Sequence, residues 1–406
     1  MKFDTQILPN GIKIIHQQNQ TNVAHCGIII NTGSRDERES QHGIAHFIEH
    51  AVFKGTKKRK AHHVIRRLED VGAEIEAFTT KENICVYASF LENYYERTIE
   101  LFSDIIFNST FPKKELENEK EVIIEEINSY KDNPAELIFD DFEKQIFNGH
   151  PLARDILGEP KLLKNFAKED IQSFIKHNFN TDQIVLCSVG NINFSKFVKL
   201  AEKYFSKIPK NLRTDKRVQF NNYKASNHIV NKETYQTHCI VGNIAYNMKD
   251  KNKMALELLN DLLAGPGLSS RLNVALREKK GLVYTVESYY TPYIDTGISG
   301  IYFGTYNGNL NKSLNIIKKE LLKIRNNKLG VMQLHRAKLK LMGSVAIASE
   351  SKSNLMLAAG KGFLQLNKIK TINEIIESIQ NITAEQLITT ANEIYDFDNM
   401  SSLIYE

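Results

Sequence analysis

The order of strand-like and helix-like segments constrains this chain more than any single residue does. Strand patterns at 11–16 and 23–32 precede helical patterns at about 42–54 and 60–71, and these lead into a strand pair at 74–80 and 84–90. Amphipathic helical patterns follow at 91–107, 113–130, 135–147 and 168–177, before a strand at 184–189 and a helix at 194–205. Strands that come in adjacent pairs, separated by runs of helices, point to antiparallel α+β layers and away from a parallel βαβ sheet. After 205 the periodicity lapses into a basic stretch, and then the order restarts. Thr237-His-Cys-Ile-Val241 echoes Ala24-His-Cys-Gly-Ile28, helical patterns follow at 250–263 and 268–278, and a strand pair closes the run at 283–290 and 297–304. The interval from the His-Cys pair to the next strand is similar in both halves, 25 to 74 and 238 to 283. The reading is a duplicated fold. It predicts two similar domains, 1–210 and 228–406, joined by a linker at 211–227, each an antiparallel sheet packed against helices.

Composition narrows the classes of partner. With 53 Lys+Arg against 48 Asp+Glu the net charge is only +5, too weak to imply nucleic acid or a membrane surface. The first ten residues lack the apolar run of a secretory signal, and no stretch approaches the roughly 20 apolar residues of a membrane span. The four cysteines, Cys26, Cys85, Cys187 and Cys239, sit in apolar runs without CxxC spacing, which reads as buried small hydrophobes in a reducing compartment. A cytoplasmic location is the expectation.

The chemistry concentrates in His42-Gly-Ile-Ala-His46-Phe-Ile-Glu49-His50. Residues four apart share a helix face, so His46 and His50 can aim two imidazoles at one ion, with Glu49 at the edge of that face. His42 is kept at the helix entrance because Gly43 follows it. Imidazole suits zinc, and a catalytic zinc takes three protein ligands and leaves a position for water. Glu49 lies where it could take the proton of that water. The inverted HxxEH order is a known zinc peptidase pattern, although five residues match by chance often enough to need support.

A third ligand is sought in the helix former at 113–130. At 100° per residue, Glu125 groups with Asn118, Glu121, Asn128 and Ser129 as a solvated stripe, whereas Glu126 groups with Glu119, Val122, Ile123 and Tyr130. A carboxylate on an apolar face is costly unless it is paired, protonated or metal-bound. Glu126 is therefore the better candidate ligand, and Glu119, on the same side, is a candidate to orient His46 or His50.

Taken together, His46-Phe-Ile-Glu49-His50-Ala-Val-Phe53-Lys-Gly-Thr56 and Glu119-Lys-Glu-Val-Ile-Ile-Glu-Glu126 resemble the pitrilysin, insulysin and mitochondrial processing peptidase family of zinc peptidases, in its short two-domain form. The resemblance implies His46, His50 and Glu126 as ligands of one zinc per chain, Glu49 as general base, and Glu119 as a supporting acid. It extends to Leu263-Ala-Gly-Pro-Gly-Leu-Ser-Ser-Arg-Leu272 and Arg277-Glu-Lys-Lys-Gly-Leu-Val-Tyr284, which look like the family's glycine-containing loop and its substrate-contacting Arg and Tyr pair. By the same resemblance Ala77, Phe78 and Thr79 belong to an edge strand that pairs with extended substrate. The second half has no matching metal motif in Met254–Leu263.

The expected function is a zinc-dependent endopeptidase acting on extended peptides. The alternative is a non-catalytic or partner-dependent subunit of a processing peptidase. Longer members of the family carry four such domains, so a homodimer in which Arg277 and Tyr284 complete the partner's site is the expected assembly.

Overall fold

The computed structural model describes residues 2–232 and 234–406. The chain divides into two compact units. The first contains the chain up to Asn128, Arg154–Arg217 and Ala348–Thr371. The second contains Ser129–Ala153, Val218–Ile347 and Ile372–Glu406.

In the first unit six strands, β1 (Asp4–Ile7), β2 (Lys13–Gln18), β3 (Val23–Ile30), β4 (Glu74–Thr79), β5 (Ile84–Leu91) and β6 (Ile184–Gly190), form one sheet in the order β1-β2-β6-β3-β5-β4. The pairing is antiparallel except between β2 and β6, so the sheet is mixed where the sequence pattern suggests a purely antiparallel one. Its central strands are covered on both faces, which explains why they read as continuous apolar runs. Ile14, Ile28, Val86 and Leu186 point into a core shared with the helices α1 (Ile44–Ala51), α2 (Ala61–Glu69), α3 (Tyr95–Phe107) and α4 (Lys113–Lys131). Their neighbours Ile15, Ile29, Cys85 and Cys187 point the opposite way, onto Met356, Leu357 and Phe363 of a helix at Lys352–Leu366. That helix lies close to the sheet: a Cβ on Gly360 would stand 2.7 Å from Ile29 Cδ1.

In the second unit β7 (Asn227–Val230), β8 (Thr237–Ala245), β9 (Val283–Pro292), β10 (Gly297–Thr305) and β11 (Ser401–Tyr405) run in the order β7-β11-β8-β10-β9, again with one parallel pair, β7 and β11. Strand for strand this repeats β2-β6-β3-β5-β4, as a duplicated fold requires. One face carries Leu256 and Leu259 of the helix Lys253–Ala264 together with Ile317 and Leu387. The other carries Ile138, Phe142 and Ile146 of the helix Pro134–Ile146.

The contiguous division at 211–227 therefore describes the order of the sheets and not the packing of the helices. Helix Pro134–Ile146 comes from the first half of the sequence and packs on the second sheet. Helix Lys352–Leu366 does the reverse. The linker expectation also changes in detail, because Arg213 and Arg217 are clamped on Asp36 at 2.5 and 2.7 Å. Burial works against the Asp36 charge, but the two guanidiniums outweigh it and hold its pKa below the usual carboxylate value. Other differences concern single elements. β1, β7, β11 and the five helices between Leu310 and Ile394 have no counterpart in the sequence reading, and of the helical pattern at 268–278 only 271–278 is helical, ending in a π turn at Asn273–Glu278. The four cysteines are buried and free, and no helix among the described residues is long and apolar enough to cross a membrane.

Candidate metal centre

α1 is short, and its entry is tightly specified. Its N-cap, Gly43, adopts φ +94, and a Cβ there would stand 2.8 Å from Gly158 Cα, so only glycine fits. A glycine cannot supply the side-chain oxygen that an N-cap usually offers. The carboxylate of Glu37 does so instead, accepting from Gly43 N–H at 3.0 Å and Ala45 N–H at 2.9 Å. Burial pushes the Glu37 pKa up to about 8, against the pull of those two donors, Arg154 and Lys81. His42 stays at the helix entrance, its Nε2 at 2.9 Å from the Asp155 carbonyl.

One turn into α1, His46 is 6% exposed, and His50 is half-buried beside it with ring centroids 4.7 Å apart. Glu126 reaches both from α4: its Oε1 is 3.8 Å from His46 Nε2 and its Oε2 is 3.6 Å from His50 Nε2. Ligand atoms of the three lie within 4.8 Å of one another. Zinc bonds of about 2.1 Å in a tetrahedron place ligand atoms about 3.4 Å apart, a few tenths of an ångström less than the two Glu126–histidine separations. Two imidazoles and one carboxylate are also the chemistry of a catalytic zinc site.

The charges around these donors are arranged in pairs. Burial, and then the neighbouring His50 charge, hold His46 at a pKa of about 3, so its imidazole is neutral and available as a ligand. Its Nδ1 is buried with no hydrogen-bond partner among the described residues. His50 Nδ1 is 2.8 Å from Glu119 Oε1, and Glu119 Oε2 is 2.5 Å from Lys54 Nζ. Desolvation pulls the His50 pKa down, yet the Glu119 bond and the charges of Glu119, Glu49 and Glu126 outweigh it and raise the value. Burial likewise works against the Glu119 charge, and His50 and Lys54 overcome it, leaving its pKa lowered. Glu49 is shifted upward by burial, opposed mainly by the Thr79 hydroxyl, which donates to Oε2 at 2.6 Å.

Thr79 lies in β4, the edge strand of its sheet, together with Ala77 and Phe78. Ala77 packs on the same side as α1. Phe78 lies on the opposite face, edge-to-face with Tyr87 and beneath Lys361 Nζ at 4.9 Å. A pocket of ≈ 350 Å³ opens beside Glu49 and His50, lined by Phe53, Ile65, Ile75 and Ala77 and edged by Lys54, Glu69 and Glu119. Arg277 and Tyr284 belong to the second unit. Arg277 is exposed at the π turn, and Tyr284, 77% exposed, sits at the start of edge strand β9.

The premise used to choose Glu126 needs correcting. Val122, on its side of α4, is 53% exposed, and the buried face of the helix is Leu116, Glu119, Lys120, Ile123 and Ile127. Glu126 is exposed, at the rim of the cleft, while Glu119 is the carboxylate on the buried side. Sequence reasoning missed Glu37, Lys54 and the tie between Thr79 and Glu49. Lys54 stands four residues after His50, a spacing that could have flagged it.

Two family descriptions match in tandem, the insulinase domain of peptidase family M16 over residues 13–160 and the peptidase M16 inactive domain over residues 165–341. The chain belongs to peptidase family M16. It is 32% identical over 399 residues to the uncharacterized zinc protease YmxG of Bacillus subtilis, covering 97% of this chain and 96% of that protein. It is 27% identical over 420 residues to the mitochondrial-processing peptidase subunit beta of Saccharomyces cerevisiae, covering 96% and 87%. In fold it matches a protease from Helicobacter pylori with a TM-score of 0.91 and 22% identity, over 100% of this chain and 99% of that one. A peptidase M16 inactive domain from Pseudomonas fluorescens matches with a TM-score of 0.93 and 21% identity, over 100% and 98%.

Proposed function

We propose that this protein is a zinc-dependent endopeptidase cutting extended peptides, with one zinc per chain held by His46, His50 and Glu126. The observation that carries the reading is the convergence of those three donors next to a second carboxylate, Glu49, fixed at one oxygen by Thr79. Zinc bound there supplies a Lewis acid for the scissile carbonyl and lowers the pKa of a water toward neutrality. Glu49 takes the proton of the attacking water on the oxygen Thr79 leaves open, then delivers it to the departing amine. Glu119 keeps the His50 ring turned so that Nε2 faces the cleft. The open edge of β4 offers main-chain groups to an extended substrate, with Ala77 and Thr79 on the cleft side.

Glu49→Gln tests the base: zinc stays bound and peptide hydrolysis falls to a trace, whereas cleavage near the wild-type rate overturns the assignment. A non-catalytic subunit is the weaker reading, because the ligand set and the base are all in place.

Arg277 and Tyr284 would hold the substrate carbonyl and its developing negative charge, completing the site of a second copy by twofold symmetry. Mixing inactive Glu49→Gln chains with inactive Arg277→Ala chains then restores part of the activity, and no recovery in a mixed dimer counts against a shared site. The free, buried cysteines support a reducing compartment, the cytoplasm.

A further inference from the structure

We infer that Glu37 is a positioning residue for the metal centre, acting through the backbone of α1; the inference rests on the ligand reading above. Three observations meet at this side chain. Gly43 must be glycine, on account of φ +94 and the Gly158 backbone against it, so the metal helix cannot cap itself. The first turn of a helix leaves its N–H groups without partners. Glu37 takes the Ala45 N–H, the donor an N-cap side chain ordinarily satisfies, and the Gly43 N–H as well.

Two bonds from one rigid carboxylate fix both the height and the rotation of the first turn. His46 is the next residue after Ala45, and His50 lies one turn further along the same face, so the direction of both imidazoles is set from this point. Glu37 is itself immobilised. It is 4% exposed, its carbonyl accepts from Arg154, and the Arg154 carbonyl accepts from Lys81 Nζ at 2.5 Å. Its neighbour Asp36 is gripped by Arg213 and Arg217. Both of its oxygens are engaged by backbone N–H groups of the helix entrance rather than by an imidazole. Its effect reaches the metal only through the helix.

The test compares wild type, Glu37→Gln and Glu37→Ala by zinc affinity in chelator competition and by amide hydrogen exchange across the full chain. Gln keeps one acceptor and Ala keeps none, so zinc binding should weaken about tenfold in Glu37→Gln and up to about a hundredfold in Glu37→Ala, the range seen when supports of metal ligands are removed. Faster exchange should be confined to residues 43–47. Zinc affinity within twofold of wild type in both variants overturns the inference. So does protection lost evenly across the sheet, or failure of Glu37→Gln to fold, since either would make Glu37 a general core residue. Wild-type protein that binds no zinc overturns the ligand reading itself, an outcome distinct from those.

Discussion

Glu119 offers the sharpest measurement of how this site is built. Its side chain is 8% exposed and is shared between His50 Nδ1 at 2.8 Å and Lys54 Nζ at 2.5 Å. Replacing Glu119 by Gln keeps the shape and removes the charge. The amide can accept from only one of those two donors, and its NH2 then faces the other. The His50 ring loses both its orientation and the carboxylate that makes its Nε2 a stronger donor. Loss of such support commonly lowers metal affinity by about 10- to 100-fold, which is about 1.4 to 2.7 kcal/mol. The assay is zinc competition with a chromophoric chelator at pH 7.5, with Glu121→Gln as control because Glu121 lies on the solvated side of the same helix. Glu121→Gln should bind as wild type does. A Glu119→Gln protein that is folded and binds zinc within twofold of that control would refute the claim that Glu119 sets the donor strength of His50.

Thr79→Val should leave zinc affinity unchanged and lower kcat more than KM, since it frees Glu49 without touching the ligands; Thr79→Ser should recover most of the rate, and equal losses in both variants would remove the hydroxyl from the account. In metal-free protein, His46 is neutral in the fold, with a pKa of about 3, against about 6.5 unfolded. The unfolded chain therefore binds the extra proton, and the His46 contribution is complete above pH 6.5 and lost as pH falls toward 3. Between pH 6.5 and 5 that amounts to about 2 kcal/mol. Glu37, raised to about 8, works in the opposite sense and favours folding as pH falls. The quantity to measure is thus the urea-unfolding difference between wild type and His46→Gln at the two pH values, and a difference independent of pH would show that His46 is not held neutral.

What was legible in the sequence follows from how locally each feature is encoded. The two imidazoles share one face of one helix, so a spacing of four suffices to pair them. The middles of the sheets were legible because β3, β5, β8 and β10 are long and apolar, while β1 and β7, four residues each with largely exposed patterns, and β11, five residues, carry too little periodicity. The helix pattern at 135–147 announces a buried face without saying which sheet will bury it, and the helix Lys352–Leu366 lies beyond the part of the chain that the sequence reading assigned, so the exchange of helices between the units could not be read. Glu37 was invisible for the same kind of reason. It lies in an irregular segment, and its partners are backbone N–H groups, which leave no signature in a side-chain pattern. Glu126 was found by an argument whose premise failed: Val122 marks an exposed face, and it is Glu119 that lies on the buried one.

The duplicated scaffold also bears on why the candidate metal donors fall in the first unit. Helix Lys253–Ala264 follows β8 as α1 follows β3, and Leu258, Leu259 and Leu263 are almost wholly buried in it. Two of its polar residues are tied up in packing: Asn260 Oδ1 accepts from Tyr395 at 3.2 Å, and Asp261 is paired with Lys340 at 3.2 Å. A helix filled with leucine closes onto its own core. In α1 the equivalent turn trades that burial for His46, Glu49 and His50, polar groups that are stable only because Glu119, Thr79 and Glu37 each satisfy part of the turn. The same β-layer thus supports a helix bearing candidate metal donors in one copy and a leucine-packed one in the other, and the difference lies in a few partners contributed from outside the helix.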